Sequence, residues 1–249
     1  SDDGFYKREA SWVMVSSIAI VGKTVRGVFR ERPNRFLALV RVGKRTLPSF
    51  VPNPGRMLEL LTLGSEVILR EVLKENRKTS YDLIGVLYNG QMVSVDSRVP
   101  NKLVLEALRN KDIEELSEYD RIRPEYGYGH TRFDFLLTNK LERCLLEVKS
   151  CTLVKDGRAM FPDAKTERGR RHVMDLMEAK EEGYRACVLF IVQRTNAWVF
   201  SPNDETDPEF GKVLREAAVK GVEVYAYSSE FTEDRITLKG KIRVELGEA

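Results

Sequence analysis

The sequence predicts an α/β chain, mixed α+β overall, in which a small β-barrel precedes a mixed sheet covered by helices. Three observations carry this. Short apolar runs broken by turn residues fill the chain as far as Val95. From Asp96 onward, strand-like runs alternate with helical periods. Ala186 to Val192 is an unbroken apolar run, as expected of a parallel strand buried on both faces.

In the first half, Phe36 to Val42, Leu47 to Val51, Glu66 to Val72, Tyr81 to Tyr88 and Met92 to Val95 read as strands. Gly43-Lys44, Pro52-Asn53-Pro54-Gly55, Gly64 and Asn89-Gly90 separate them. Asn-Gly between apolar runs suits the left-handed backbone of a two-residue hairpin. These strands, with one brief helical piece from Met57 to Leu61, fit a barrel of the OB type; a generic antiparallel sheet is the alternative. Residues 1–95 are assigned to this domain and 96–249 to the second.

The second domain opens at Pro100-Asn101, ahead of a helix bearing Leu103, Leu105, Ala107 and Leu108, and a charged helical stretch from Asp112 to Tyr119 follows. Arg132 to Ser150 gives two strands around Thr138-Asn139-Lys140. Ser150 to Val154 gives a third, turning at Asp156-Gly157 into Arg158 to Phe161. Beyond Pro162-Asp163 the period is helical, with Val173, Leu176 and Met177 on one face and Gly183 as the stop. After the buried strand come a helix from Phe210 to Lys220 and a strand from Val222 to Tyr227.

A chain of 249 residues with 42% hydrophobic content can build one large core or two modest ones. Lys plus Arg total 41 against 38 Asp plus Glu, a formal net charge of +3, so any nucleic-acid partner is gripped locally rather than by a global field. Cys144, Cys151 and Cys187 lack metal-ligand spacing and fall in strand-like runs, which reads as core packing in a reducing compartment. The longest apolar run is far short of the ~20 residues of a membrane helix. Ser1-Asp2-Asp3-Gly4 lacks the layout of a signal peptide. The expectation is a cytoplasmic protein with no membrane partner; its oligomeric state is open, a homodimer included.

The chemistry concentrates in RFDFLLTNKLERCLLEVKS, Arg132 to Ser150. Strand side chains alternate, so Glu147 and Lys149 point one way and Leu146 and Val148 the other. Asp134, with Phe133 and Phe135 both expected to face away from it, lies beside Glu147 if the two strands pair. Two carboxylates in one patch are costly unless a cation compensates, and oxygen ligands on a rigid sheet suit Mg²⁺ or Mn²⁺. Lys149 can stabilise charge on a phosphate or orient attacking water. An Asp, a gap and Glu-x-Lys resemble the signature of PD-(D/E)XK nucleases, although Glu-x-Lys also occurs on solvated strand faces.

The stretches FRERPNRFLALV, PNPGRMLELL, YGYGHTRFDFLL, LLEVKSCTLV and FPDAKTERGRRHVMDLM together resemble the sugar fermentation stimulation protein A family, from about Phe29 to Tyr227. The resemblance implies an OB-like N-terminal domain and a nuclease-like C-terminal domain, with Asp134 and Glu147 as metal ligands and Lys149 as the third catalytic residue. It adds Glu125, ahead of the Tyr126-Gly127 turn, as a fourth catalytic candidate where related folds supply an acid from an earlier helix. Gln193, ending the buried strand, is a candidate for the same site. A solvated loop glutamate and a strand-end cap are the plainer readings of these two. Phe50 departs from the family, whose loop often has His two positions before the Pro-Asn pair.

Arg168 and Arg171, with Arg170, sit in the N-terminal half of the second helix, where unpaired N–H groups favour phosphate; a solvated basic face is the alternative. His172, next to the core residue Val173, reads as a packed histidine as readily as a catalytic one. Arg26, Arg30, Arg32 and Arg35 cluster before the Phe36 strand, Asn53 and Arg56 flank Pro54-Gly55, and Arg132 opens the acidic strand. The nucleic-acid set is thus Arg35, Asn53, Arg56, Arg132, Arg168, Arg171 and Gln193. The expected function is DNA binding with Mg²⁺- or Mn²⁺-dependent cleavage. The alternative is a non-catalytic DNA-binding regulator of sugar (maltose) metabolism genes.

Overall fold

A computed structural model describes residues 15–248 in two sheets and three α-helices. β1 (Ser17–Ala19) is followed by β2 (Thr24–Asn34), β3 (Leu37–Val42), β4 (Arg45–Phe50), β5 (Glu66–Glu71), β6 (Tyr81–Tyr88) and β7 (Gln91–Ser94). β2 to β7 form a six-stranded sheet in the order β4-β3-β2-β5-β6-β7, and β4 closes onto β6 in parallel at Phe50 and Asp82. A sheet that closes on itself in this order is the five-stranded OB barrel, with β7 as an addition. Its interior is filled by inward residues such as Phe29, Val40, Val67, Leu69, Leu83 and Val86. Asn89 and Gly90 take φ of 48° and 77°, the positive pair that a type I′ hairpin requires.

Two expectations for this half are corrected. The strand β2 is missing from the sequence reading because its outer positions, Arg26 and Arg30, interrupt the apolar signal while Gly27 and Phe29 point inward. The piece from Met57 to Leu61 is a single turn, in which the Leu60 and Leu61 amides both donate to the Met57 carbonyl, and not a helix. Met57 itself has φ 49°, which no α-helix continues through.

The rest of the chain runs α1 (Val99–Arg109), a 3₁₀ turn at Glu114–Leu116, β8 (Arg121–Tyr128), β9 (Thr131–Thr138), β10 (Arg143–Cys151), β11 (Leu153–Lys155) and β12 (Arg158–Phe161). It continues through α2 (Glu167–Glu181), β13 (Arg185–Val192), β14 (Val199–Pro202), α3 (Pro208–Val219), β15 (Glu223–Phe231) and β16 (Arg235–Val244). The sheet order is β11-β12-β14-β16-β15-β13-β10-β9-β8, with β10, β13 and β15 parallel at its centre. Cys187, Leu189 and Ile191 of β13 pack toward α1, while Val188, Phe190 and Val192 pack toward α2 and α3. Burial on both faces is what its unbroken apolar run demanded.

β1 pairs with β16, so the segment before the barrel extends the second sheet and the chain does not divide at a single cut. The charged stretch from Asp112 to Tyr119 is helical only at Glu114–Leu116, since Lys111 at φ 60° ends α1 in the left-handed region. Ser1 to Gly4 lie outside the described residues. Among those described, no helix is long and apolar enough to cross a membrane, and the three cysteines are buried and unbridged.

Candidate active site

The sheet forks at the acids. β9 pairs with β10 only as far as Phe135 opposite Leu146; beyond that β9 stays with β8 and β10 stays with β13. Asp134 occupies the fork. Its Oδ2 accepts the Val148 amide at 2.7 Å, replacing a ladder bond, and its Oδ1 accepts from Asn101 Nδ2 of α1 at 2.6 Å. The expectation that Phe133 and Phe135 both turn from the site is corrected: Phe133 packs on the α2 side and Phe135 on the α1 side. Across from Asp134, Glu125 has φ 54°, a local break in the strand pleat.

Glu147 is 3% exposed. Its Oε1 accepts from Lys149 Nζ at 2.6 Å and from His172 Nδ1 at 2.5 Å. Arg168 Nε donates to His172 Nε2 at 3.3 Å, which leaves the imidazole proton on Nδ1, facing Glu147. Thr166 holds this arrangement in place by capping α2, its hydroxyl accepting the Gly169 amide. Glu147 Oε2 is buried without any hydrogen-bond partner.

Burial pushes the Asp134 carboxyl up to about 6, and the Glu147 charge pushes the same way. Burial would raise Glu147 too, but Lys149 and His172 outweigh it and hold that carboxyl below its usual range. A partnerless buried oxygen beside a carboxyl that resists ionisation is a site short of positive charge. The donor set is oxygen only, and among the described residues no cluster of three His, Cys, Asp or Glu forms a closed cage. A divalent cation here would keep water or phosphate oxygens, as Mg²⁺ and Mn²⁺ do. The residues fit such an ion.

The other sequence candidates divide. Arg35 and Asn53 of the barrel and Arg168 of α2 share the wall of a cavity of about 450 Å³ between the two halves. Asn53 is buried and braces its own loop, accepting from Gly55 N and donating to the Val95 carbonyl. Arg56 donates to the Asp163 carbonyl and to Thr206, a stitch between the halves rather than a free phosphate ligand. Arg132 and Arg171 are exposed. Arg170 is bound to Asp207 and leaves the phosphate grip expected of it. Glu125 is exposed and sits within β8, not before a turn or on a helix. Gln193 donates to Ser150 Oγ and the Asp96 carbonyl on the α1 side of the sheet, across from Glu147 and Lys149, and so is a strand-end brace outside the acid cluster.

Sequence reasoning missed Asn101, because a helical Asn carries no signal of a partner thirty-three positions away. It weighed His172 without assigning it. The spacing from Thr166 to His172 sets His172 on the sheet-facing side of α2, and the burial of that histidine was the readable part.

One consequence is measurable without substrate. The Asp134 pKa is raised above its unfolded value, so the stability carried by its protonated form is fully present below about pH 4 and lost as pH rises through about 6. Asp134→Asn is therefore expected to stabilise the metal-free protein near neutral pH by on the order of 1–3 kcal/mol, read as a higher melting point, and to abolish any further rise in melting point that added Mn²⁺ produces in the parent protein. Thermal melts with and without chelator read both effects.

Residues 31–95 match the family profile described as the SfsA N-terminal OB domain, and residues 98–235 match the one described as the sugar fermentation stimulation protein RE domain. A sugar fermentation stimulation protein homolog of Caldanaerobacter subterraneus subsp. tengcongensis is 47% identical over 89% of this chain and 97% of its own length. One from Alkaliphilus metalliredigens is 46% identical over 91% and 99%. The structure of Pyrococcus furiosus SfsA in complex with Ca²⁺ superposes with a TM-score of 0.83 at 30% identity, covering 90% of this chain and 97% of that one. The chain belongs to the sugar fermentation stimulation protein family.

Proposed function

We propose that this protein binds DNA and hydrolyses its phosphodiester bonds with Mg²⁺ or Mn²⁺ held by Asp134 and Glu147. The observation that carries the reading is the buried, partnerless Glu147 Oε2 beside the raised Asp134 carboxyl. The complex of Pyrococcus furiosus SfsA with Ca²⁺ supports it, since that ion shares the preference for oxygen ligands.

When bound, the ion supplies Lewis-acid charge to a phosphate oxygen and acidifies its water. The chain does the rest. Asn101 and the Val148 amide fix Asp134, and His172 fixes Glu147. Lys149 holds an ammonium beside the acids, where charge builds on the phosphate in the transition state. Arg168 lines the adjoining cavity and offers a phosphate contact.

The test is incubation with single-stranded, duplex and branched DNA in Mg²⁺, Mn²⁺ or chelator. Metal-dependent cleavage is expected. Binding of every form with cleavage of none would leave a non-catalytic regulator of sugar-metabolism genes as the function. DNA affinity is also expected to fall steeply with salt despite the small net charge. Arg35→Ala or Arg171→Ala should each reduce the slope of log K against log salt by roughly one. A flat titration removes the phosphate-grip role of both.

A further inference from the structure

The barrel carries a second, separate groove of about 800 Å³, away from the acids. One wall is Phe36, in the turn between β2 and β3, and Phe50, at the end of β4; their rings lie 21° from parallel with centroids 6.2 Å apart. The other is Arg77 and Lys78, in the loop between β5 and β6, with Arg98 at the start of α1. Phe36 is 46% exposed, which is unusual for so large an apolar ring unless it has a partner.

Guanidinium groups surround the two rings. Arg35 lies over Phe36, and Arg77 and Arg98 lie over Phe50, at 5.7 to 5.9 Å from the ring centroids. Asp82, 1% exposed, binds Arg70, Arg77 and Arg98 together, while Asp96 takes a second contact from Arg98. These buried carboxylates hold the arginines in place without cancelling them. Lys78 and Arg35 have no acidic partner among the described residues, so positive charge is in surplus along the groove.

A flat ring in the open, stiffened guanidiniums and surplus positive charge match one ligand class, a single strand whose bases present π-faces and whose phosphates follow the bases. A duplex hides those faces. The position agrees as well: in OB barrels, the second and third strands and the loops between the first and second and between the fourth and fifth form the ligand face. Here those parts are β3, β4, the Phe36 turn and the Arg77 loop. We infer that this groove binds unpaired nucleotides by stacking on Phe36, so that the nucleic acid held by the protein is single-stranded or has a single-stranded arm. The first turn of α1 joins the groove to the acids, giving Arg98 to one and Asn101 to the other. The inference deepens the proposed function and rests on its nucleic-acid part, not on cleavage.

The test is fluorescence anisotropy of a labelled oligothymidine and of a duplex of equal length, in chelator so that nothing is cut. The single strand is expected to bind more tightly. Phe36→Ala, at an exposed position, should weaken it by roughly tenfold or more, Phe36→Tyr should retain it, and Lys78→Ala should weaken it by a smaller factor that shrinks with salt. Equal binding of both forms, or a Phe36→Ala variant that binds like the parent, overturns the groove, as does absence of any oligonucleotide binding. Displacement by a neutral linear oligosaccharide overturns it in favour of a sugar ligand. The two readings fail separately: single-strand binding lost in Phe36→Ala without cleavage of any DNA sinks only the nuclease, and cleavage with an indifferent Phe36 sinks only the groove.

Discussion

Lys149→Ala is expected to lower metal-dependent cleavage by about 10²–10³-fold while leaving DNA affinity nearly unchanged. Removing a preorganised group that acts on transition-state charge has effects of that order. A ground-state phosphate gains far less from the ammonium than the developing transition state does. The Mn²⁺ response has a definite direction. Lys149 Nζ occupies Glu147 Oε1 at 2.6 Å, so the lysine and the proposed ion would compete for one carboxylate, and the variant should bind Mn²⁺ as well as the parent or better. Calorimetric titration with Mn²⁺ beside a cleavage assay separates the two roles. Weaker metal binding in Lys149→Ala would make the lysine a support for the acids. Cleavage that persists in Asp134→Asn would belong to a contaminating nuclease.

The second large effect is on stability. Phe190 lies beside Lys149 in the register of β13 against β10 and is fully buried. It stacks on Phe200 with centroids 4.1 Å apart and meets Phe161 at 5.3 Å, and Phe161 in turn reaches Phe210 at 5.1 Å. Four rings from β12, β13, β14 and α3 thus fill one layer beneath the acids. Phe190→Ala is expected to cost about 3–5 kcal/mol, because strands on both sides limit how far the cavity can collapse. Urea unfolding should show the midpoint falling with little change in slope. A loss below about 1 kcal/mol would mean that the layer closes over the gap.

The parts legible in the sequence were those whose signal is local. Asn89-Gly90 announces its hairpin through backbone chemistry, and Ala186 to Val192 announces burial on both faces. Glu147 and Lys149 share a side through alternation alone, and their contact at 2.6 Å follows. What failed depended on distant partners. β8, with its exposed Arg121, Arg123 and Glu125, is a strand only because β9 lies beside it. Arg56 reads as a phosphate ligand until Asp163 and Thr206 arrive from the other half of the chain. The break in alternation at Asp134 arises where two neighbouring strands part, a relation that the run of residues in β9 does not contain.

That fork also ties correct folding to the assembly of the site. The acids and the lysine reach one side of β10 only in the native register, in which Glu147 lies opposite Val188 and Lys149 opposite Phe190. A slip of one residue would turn both charged side chains to the opposite face and bring Leu146 and Val148 in their place, and it would withdraw the Val148 amide from Asp134. Such a slip would dismantle the core and the site together. On the proposed function, a chain caught halfway, or refolded wrongly after stress, would be inert rather than a loose cutter of DNA, and the geometry of the sheet itself would guard the cell.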